Sequence, residues 1–270
     1  MSLIVKAIIL GIVQGLTEFL PISSTGHMII VDEFLHLPES FRDPFLVMVQ
    51  LGSILSVVVY FFRRLLPAGF WTNPVTRLST LLLWSKVLVG VFPALLIGGL
   101  FGSKIQHALY STPTVAVALL IGGVLLILLE RRKSIPRILT MPQLGWRHAL
   151  GVGLAQCIAM IPGVSRSAAT ILGGLGLGLS RDLAVEYSFF LAIPTMCAAS
   201  AYSVLKDGLH FSHSEWTATA AGFITAFVVA LGVIAGLMRF IRKHDFQFFG
   251  WYRIVLGIIL LLGLALKAHL

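Results

Sequence analysis

The chain has 270 residues, 57% of them hydrophobic and only 11% charged, with a mean hydropathy of +0.95. Soluble domains carry about 25% charged residues, so this composition excludes a single soluble domain; it equally excludes disorder, which needs few apolar residues. The net charge of +9 comes with no basic tract interleaved with aromatics, so the cations read as the orientation signal of an integral membrane protein, not as a nucleic-acid footprint.

Residues 3–37 form an apolar stretch with no basic segment ahead of it and no small-residue cleavage site, so it reads as retained structure, not a signal peptide. The stretch is interrupted at FLPISSTGH (19–27). A bilayer core of about 30 Å needs around 20 apolar residues in a helix. Three spans of that kind follow, at 45–62, 81–101 and 114–129, separated by turn signals at 67–69, 73–74 and 111–113. A charged connection runs over 130–142. Next comes a second broken stretch, 147–180, interrupted at MIPGVSRS (160–167), and then three more spans at 183–205, 217–238 and 251–266.

Each broken stretch reads as two half-length helices around a polar turn. Pro21 and Pro162 end the first halves, while Ser23, Ser24 and Thr25, and Ser165 and Ser167, are candidate N-caps of the second. Irregular backbone at membrane depth must be buried in protein or line a cavity, so both stretches are predicted to be re-entrant hairpins, with kinked spanning helices as the alternative. Gln14 and Pro21-Ile22-Ser23-Ser24-Thr25 echo Gln156 and Pro162-Gly163-Val164-Ser165-Arg166-Ser167. The expectation is therefore an all-α membrane protein of six spans and two re-entrant hairpins. Residues 1–133 form one repeat, 134–146 a cytoplasmic linker, and 147–270 a second, inverted repeat. That topology puts most Lys and Arg on one side, among them Arg63, Arg64, Arg131, Arg132, Lys133, Arg181, Arg242 and Arg253, and places both termini outside.

Charged groups inside apolar segments point to function. Glu18, His27 and Arg166 lie at or beside the two breaks; Glu186 lies early in a span, either supporting the second break or pairing with Arg181. Gln14 and Glu18, spaced i, i+4, share a helix face and offer oxygen ligands to a hard cation such as Mg²⁺ or Ca²⁺. Ser24 is a candidate nucleophile, and His27, three residues on, a candidate general acid or base facing the same cavity. Arg166 matches phosphate oxygens, with Ser23, Thr25, Ser165, Ser167 and Thr170 as further phosphate-binding groups at two helix N-termini. The combination suits phosphoryl transfer. Glu18 and Arg166 forming only a structural ion pair is the plainer alternative. The glycine run at 173–178 lacks the preceding strand and Lys of a phosphate loop and reads as close helix packing. Cys157 and Cys197 read as small packing residues rather than a disulfide.

QGLTEFLPISSTGH (14–27) and PGVSRSAAT (162–170) resemble the two signature motifs of the undecaprenyl-diphosphate phosphatase, or bacitracin-resistance, family. The similarity continues through VQLGSILSVVVYF (49–61) and EYSFFLAIPTM (186–196). The resemblance implies a multi-pass enzyme of the bacterial inner membrane that acts on undecaprenyl diphosphate. Its reaction would require Mg²⁺ or Ca²⁺, take place on the extracytoplasmic side, and recycle the lipid carrier for the cell wall. It also implies catalytic and phosphate-binding roles for Ser24, His27 and Arg166 beside Glu18, supported by Ser165, Ser167 and Thr170. Gln14 departs from the Glu found in many members, which concentrates the essential charge on Glu18. Membrane lipid and the lipid substrate are the expected partners, nucleic acid is not, and a homodimer is left open. The competing reading is a polyprenyl-phosphate flippase or anion transporter built on the same breaks.

Overall fold

Apolar segments at membrane depth have no water for their backbone and must close each N–H and C=O internally. The computed structural model, which describes residues 1–132, 135–208 and 210–268, is accordingly helical. Among those residues the only strand-like pairing is an isolated parallel bridge between Ile138 and Leu179. Lys133 and the linker's first residue, Ser134, lie outside the described residues.

The first half runs through α1 (Leu3–Thr17), α2 (Ser24–Leu35), α3 (Glu39–Tyr60), the short α4 (Phe62–Leu65), α5 (Pro74–Leu109) and α6 (Thr112–Arg131). The second half runs through α7 (Trp146–Cys157), α8 (Arg166–Gly176), α9 (Arg181–Asp207), α10 (His213–Phe240) and α11 (Gln247–Ala268). Helices α3, α5, α6, α9, α10 and α11 are long and apolar enough to cross a membrane, in the places expected. The broken stretches give pairs of short helices: 15 and 12 residues for α1 and α2, 12 and 11 for α7 and α8. None of these four reaches the ~20 residues a crossing requires.

Helix starts follow local chemistry. Ser111, Ser180 and Ser212 cap α6, α9 and α10, each side chain accepting a hydrogen bond from a backbone N–H three residues on; at α10 the partner Glu215 completes a capping box.

Packing repeats between the halves. α1 lies on α10 as α7 lies on α5, α3 lies on α10 as α9 lies on α5, and α6·α11 and α3·α9 join the corresponding members. Glycine pairs permit the closest approaches. A Cβ on Gly11 would stand 2.5 Å from the Gly222 carbonyl, and one on Gly153 only 2.1 Å from that of Gly90. Gly153→Ala is therefore expected to force α7 and α5 apart, at a cost of about 1–3 kcal/mol. A thermal melt of the detergent-solubilised protein checks it, and an unchanged midpoint would contradict the close crossing. The glycine run behaves likewise: a Cβ on Gly173 would meet that of Ala155 at 2.5 Å, so it packs α8 against α7. Cys157 and Cys197 are both free.

Two sequence expectations are corrected. Glu186 pairs neither with Arg181 nor within the second break: its carboxylate takes Arg64, carried on α4 at the end of α3, which packs along α9. Arg181 pairs instead with the buried Glu130 at the end of α6. Arg253, counted among the cations of one membrane side, is completely buried inside the bundle. Its place on α11, packed along α6, turns it inward.

Candidate active site

Both breaks use the same local device. Ser23 and Ser165 each adopt a positive φ, 71° and 73°, and each caps the following helix through its side chain, accepting from Gly26 N and Ala168 N at 3.3 Å. A left-handed non-glycine residue is strained by about 1–3 kcal/mol, and such residues cluster at functional sites. Of the hydroxyls expected as caps, these two serve. Each capping serine is followed directly by the first residue of its helix, Ser24 in α2 and Arg166 in α8.

The breaks are joined directly. Ser167 Oγ donates to the Leu20 carbonyl at 2.8 Å, and Arg166 donates from Nη2 to Glu18 Oε1 at 3.3 Å. Glu18, at the end of α1 and only 6% exposed, is the centre of the cluster. Its Oε2 also accepts from Gln14 Nε2 and from Ser24 Oγ, both at 2.9 Å. A buried carboxylate needs such partners, and three converge here. The hydroxyl expected to act as nucleophile thus already points its proton at a carboxylate.

Arg166 is held from α9. Its Nη1 donates to the Ser188 carbonyl at 3.1 Å and lies 3.4 Å from Ser188 Oγ, and its guanidinium sits 5.9 Å from the Phe19 ring centre. Nε of Arg166 is buried and has no hydrogen-bond partner among the described residues, an unspent donor. Thr170 is buried beneath, its hydroxyl 2.6 Å from Ser188 Oγ and donating back to the helix, while Ser165 and Ser167 lie 3.0 Å apart through their hydroxyls. Thr25 is exposed at the start of α2.

Neither ring nitrogen of His27 bonds to Ser24. Its Nδ1 is 2.7 Å from the Ser23 carbonyl, which can only accept, so Nδ1 carries the proton. In the neutral ring Nε2 then accepts from the Tyr252 hydroxyl, 2.7 Å away, and the two rings stack 5.6 Å apart. Three contributors escaped the sequence reading: Ser188, Tyr252 and Arg253. Only Arg253 left a signal there, as an arginine seven residues into an apolar helix.

Among the described residues no cluster of three or more His, Cys, Asp or Glu could cage a metal ion. Gln14, Glu18 and Ser24 are the oxygen donors grouped at the site.

Residues 7–259 match the family model described as bacitracin resistance protein BacA. The chain is 50% identical over 260 residues to a Clostridioides difficile protein named undecaprenyl-diphosphatase 1, covering 96% of this chain and 95% of that one. It is 46% identical over 263 residues to an undecaprenyl-diphosphatase of Acetivibrio thermocellus, covering 96% and 97%. An Enterococcus faecalis protein of the same name is 45% identical over 265 residues, with 96% of each chain covered. With nearly its whole length matched, two broken helices included, this chain belongs to the bacitracin resistance protein BacA family.

Proposed function

We propose that this membrane protein removes the terminal phosphate of undecaprenyl diphosphate, giving undecaprenyl phosphate and inorganic phosphate. The product is a lipid carrier returned to cell-wall synthesis, and the family's description ties the activity to bacitracin resistance. The names of the relatives supply the lipid. One observation carries the chemistry: Ser24 donates to the buried Glu18 directly across from Arg166, whose Nε is unspent.

Ser24 Oγ attacks the terminal phosphorus while its proton passes to Glu18. The bond from that phosphorus to the bridging oxygen breaks, the electron pair leaves with undecaprenyl phosphate, and Glu18 hands the proton to this departing phosphate. Water then attacks the phosphoserine, giving a proton through Glu18 to Ser24 Oγ as phosphate is released. Arg166 and the N-termini of α2 and α8 stabilise the developing negative charge. His27 offers Ser24 no free nitrogen, so Glu18 is the base in this reading, and His27 stands with Tyr252 at the edge of the site.

The donors at the site, one carboxylate with an amide and a hydroxyl, fit a hard divalent cation whose remaining ligands are water and substrate phosphate, the usual habit of Mg²⁺. Gln14 and Glu18 would hold it, and when bound it would neutralise phosphate charge. A carrier would need Arg166 and the helix ends but not a hydroxyl bonded to a carboxylate, which favours hydrolysis over transport.

The halves 1–133 and 147–270 would be inverted copies with re-entrant breaks, both termini outside and the site open to the extracytoplasmic side of the bacterial inner membrane. The exchanged helix packing and the matched serines at 23 and 165 support it. Modification of terminal tags by an impermeant reagent tests it.

The purified protein is expected to release phosphate from undecaprenyl diphosphate, and excess chelator to stop it. Labelled terminal phosphate should be trapped on the wild type and not on Ser24→Ala. Near-normal turnover by Ser24→Ala would make water the nucleophile, and wild-type protein without phosphate release would overturn the proposed activity.

A further inference from the structure

Arg253 is the largest completely buried side chain among the described residues, and none of its hydrogen bonds to them goes to a carboxylate. Each of its N–H groups meets a main-chain carbonyl instead. Nη1 donates to Pro21 O at 3.2 Å and to Val164 O at 3.0 Å; Nη2 donates to Gly163 O at 3.2 Å and to Ala118 O at 3.0 Å; Nε reaches Leu119 O at 3.4 Å. The guanidinium therefore touches the first break, the second break and α6 at once. Carbonyls released where a helix breaks at membrane depth must find donors inside the protein, and here one side chain serves both breaks.

The location matters for the chemistry. Pro21 lies three residues from Glu18 and from Ser24, and Val164 lies two residues from Arg166. Both parts of the site are thus referenced to a single planar group. Room for it is built into α6: a Cβ on Gly122 would stand 2.3 Å from Nη2 of Arg253.

We propose that Arg253 is a positioning residue for the hydrolysis, tying the two breaks together so that the Glu18–Ser24 pair meets Arg166 at reacting distance. A lysine keeps the charge but has three donors on one nitrogen and cannot span three segments. This inference rests on the phosphatase reading above.

Arg253→Lys is expected to lower kcat about 100-fold, the scale set by a misplacement of about 1 Å, while KM changes little. Gly122→Ala keeps the arginine and its charge but displaces the guanidinium, and should act in the same direction; it carries the test if Arg253→Lys is not monodisperse in detergent. Hydrogen exchange followed by mass spectrometry supplies a readout independent of turnover: peptides covering 19–27 and 161–168 should exchange faster in both variants. Wild-type kcat in Arg253→Lys, a change confined to KM, or unaltered exchange at both breaks would overturn the tie. If the wild type releases no phosphate the phosphatase reading fails, whereas the exchange comparison still decides whether Arg253 holds the breaks.

Discussion

Glu18→Gln is expected to lower phosphate release about a thousandfold in a protein that still folds. The carboxylate accepts from Gln14, Ser24 and Arg166, and it is nearly fully buried. Glutamine keeps the volume but presents one acceptor and one NH₂ donor, so at least one of the three incoming donors meets another donor. The base that receives the Ser24 proton is lost as well, and general-base removal alone costs about 10²–10⁴-fold. Arg166 loses its anionic partner, the only one it has among the described residues, so a lower thermal midpoint should accompany the loss of turnover. Glu18→Asp, which keeps charge and base while shortening the reach, should recover part of the rate. Turnover in Glu18→Gln within tenfold of wild type, in a properly folded sample, would remove Glu18 from the chemistry and leave the ion pair with Arg166 as structure only.

The second large effect is expected at Arg166, where the informative change is to lysine. Arg166→Ala would leave Glu18 buried without its cation, and breaking such a pair costs about 3–5 kcal/mol, so folding and catalysis would fail together. Lysine retains the charge but not the fork. It cannot satisfy Glu18 and the Ser188 carbonyl at once, and it has no counterpart of the unspent Nε. A loss of about 100-fold or more is expected, of the size seen when a preorganised donor to a developing oxyanion is removed. Phosphate release over a range of substrate concentrations checks it, with the defect in kcat as well as KM. A lysine variant with wild-type kcat would mean that Arg166 supplies charge alone.

How much of this was legible in advance follows from what each feature depends on. All six spans were readable in place, because crossing a bilayer demands a run of apolar side chains that is local in sequence, although α5 extends seven or eight residues past the expected 81–101 at each end and α3 starts six residues before the expected residue 45. The breaks at 19–27 and 160–167 were equally plain, because a proline there coincides with a serine cluster that caps a new helix; Pro44, Pro93 and Pro194, without such a cluster, lie inside continuous helices. The grouping of Glu18, Ser24 and Arg166 came from the polar content of those breaks, and the structure brings the three into one hydrogen-bonded set. His27 was harder. Spacing put it within reach of the cavity of Ser24, but the Ser23 carbonyl and Tyr252 claim its two nitrogens and turn the ring toward α11.

Composition, hydropathy and two short motifs sufficed to establish a membrane protein with six apolar spans and two interrupted stretches rich in polar side chains, since each of these is written in residues that are neighbours in the chain. Only the tertiary structure decided which cation serves which purpose. Glu186 went to Arg64 and Glu130 to Arg181 because α4 and the end of α6 are brought beside α9. Arg253, indistinguishable by composition from an orientation charge, lies beside carbonyls of both breaks because α11 packs on α6 next to them. Its partner Pro21 is 232 residues away along the chain. A main-chain carbonyl carries no residue identity, so no pattern in the sequence could have announced that contact.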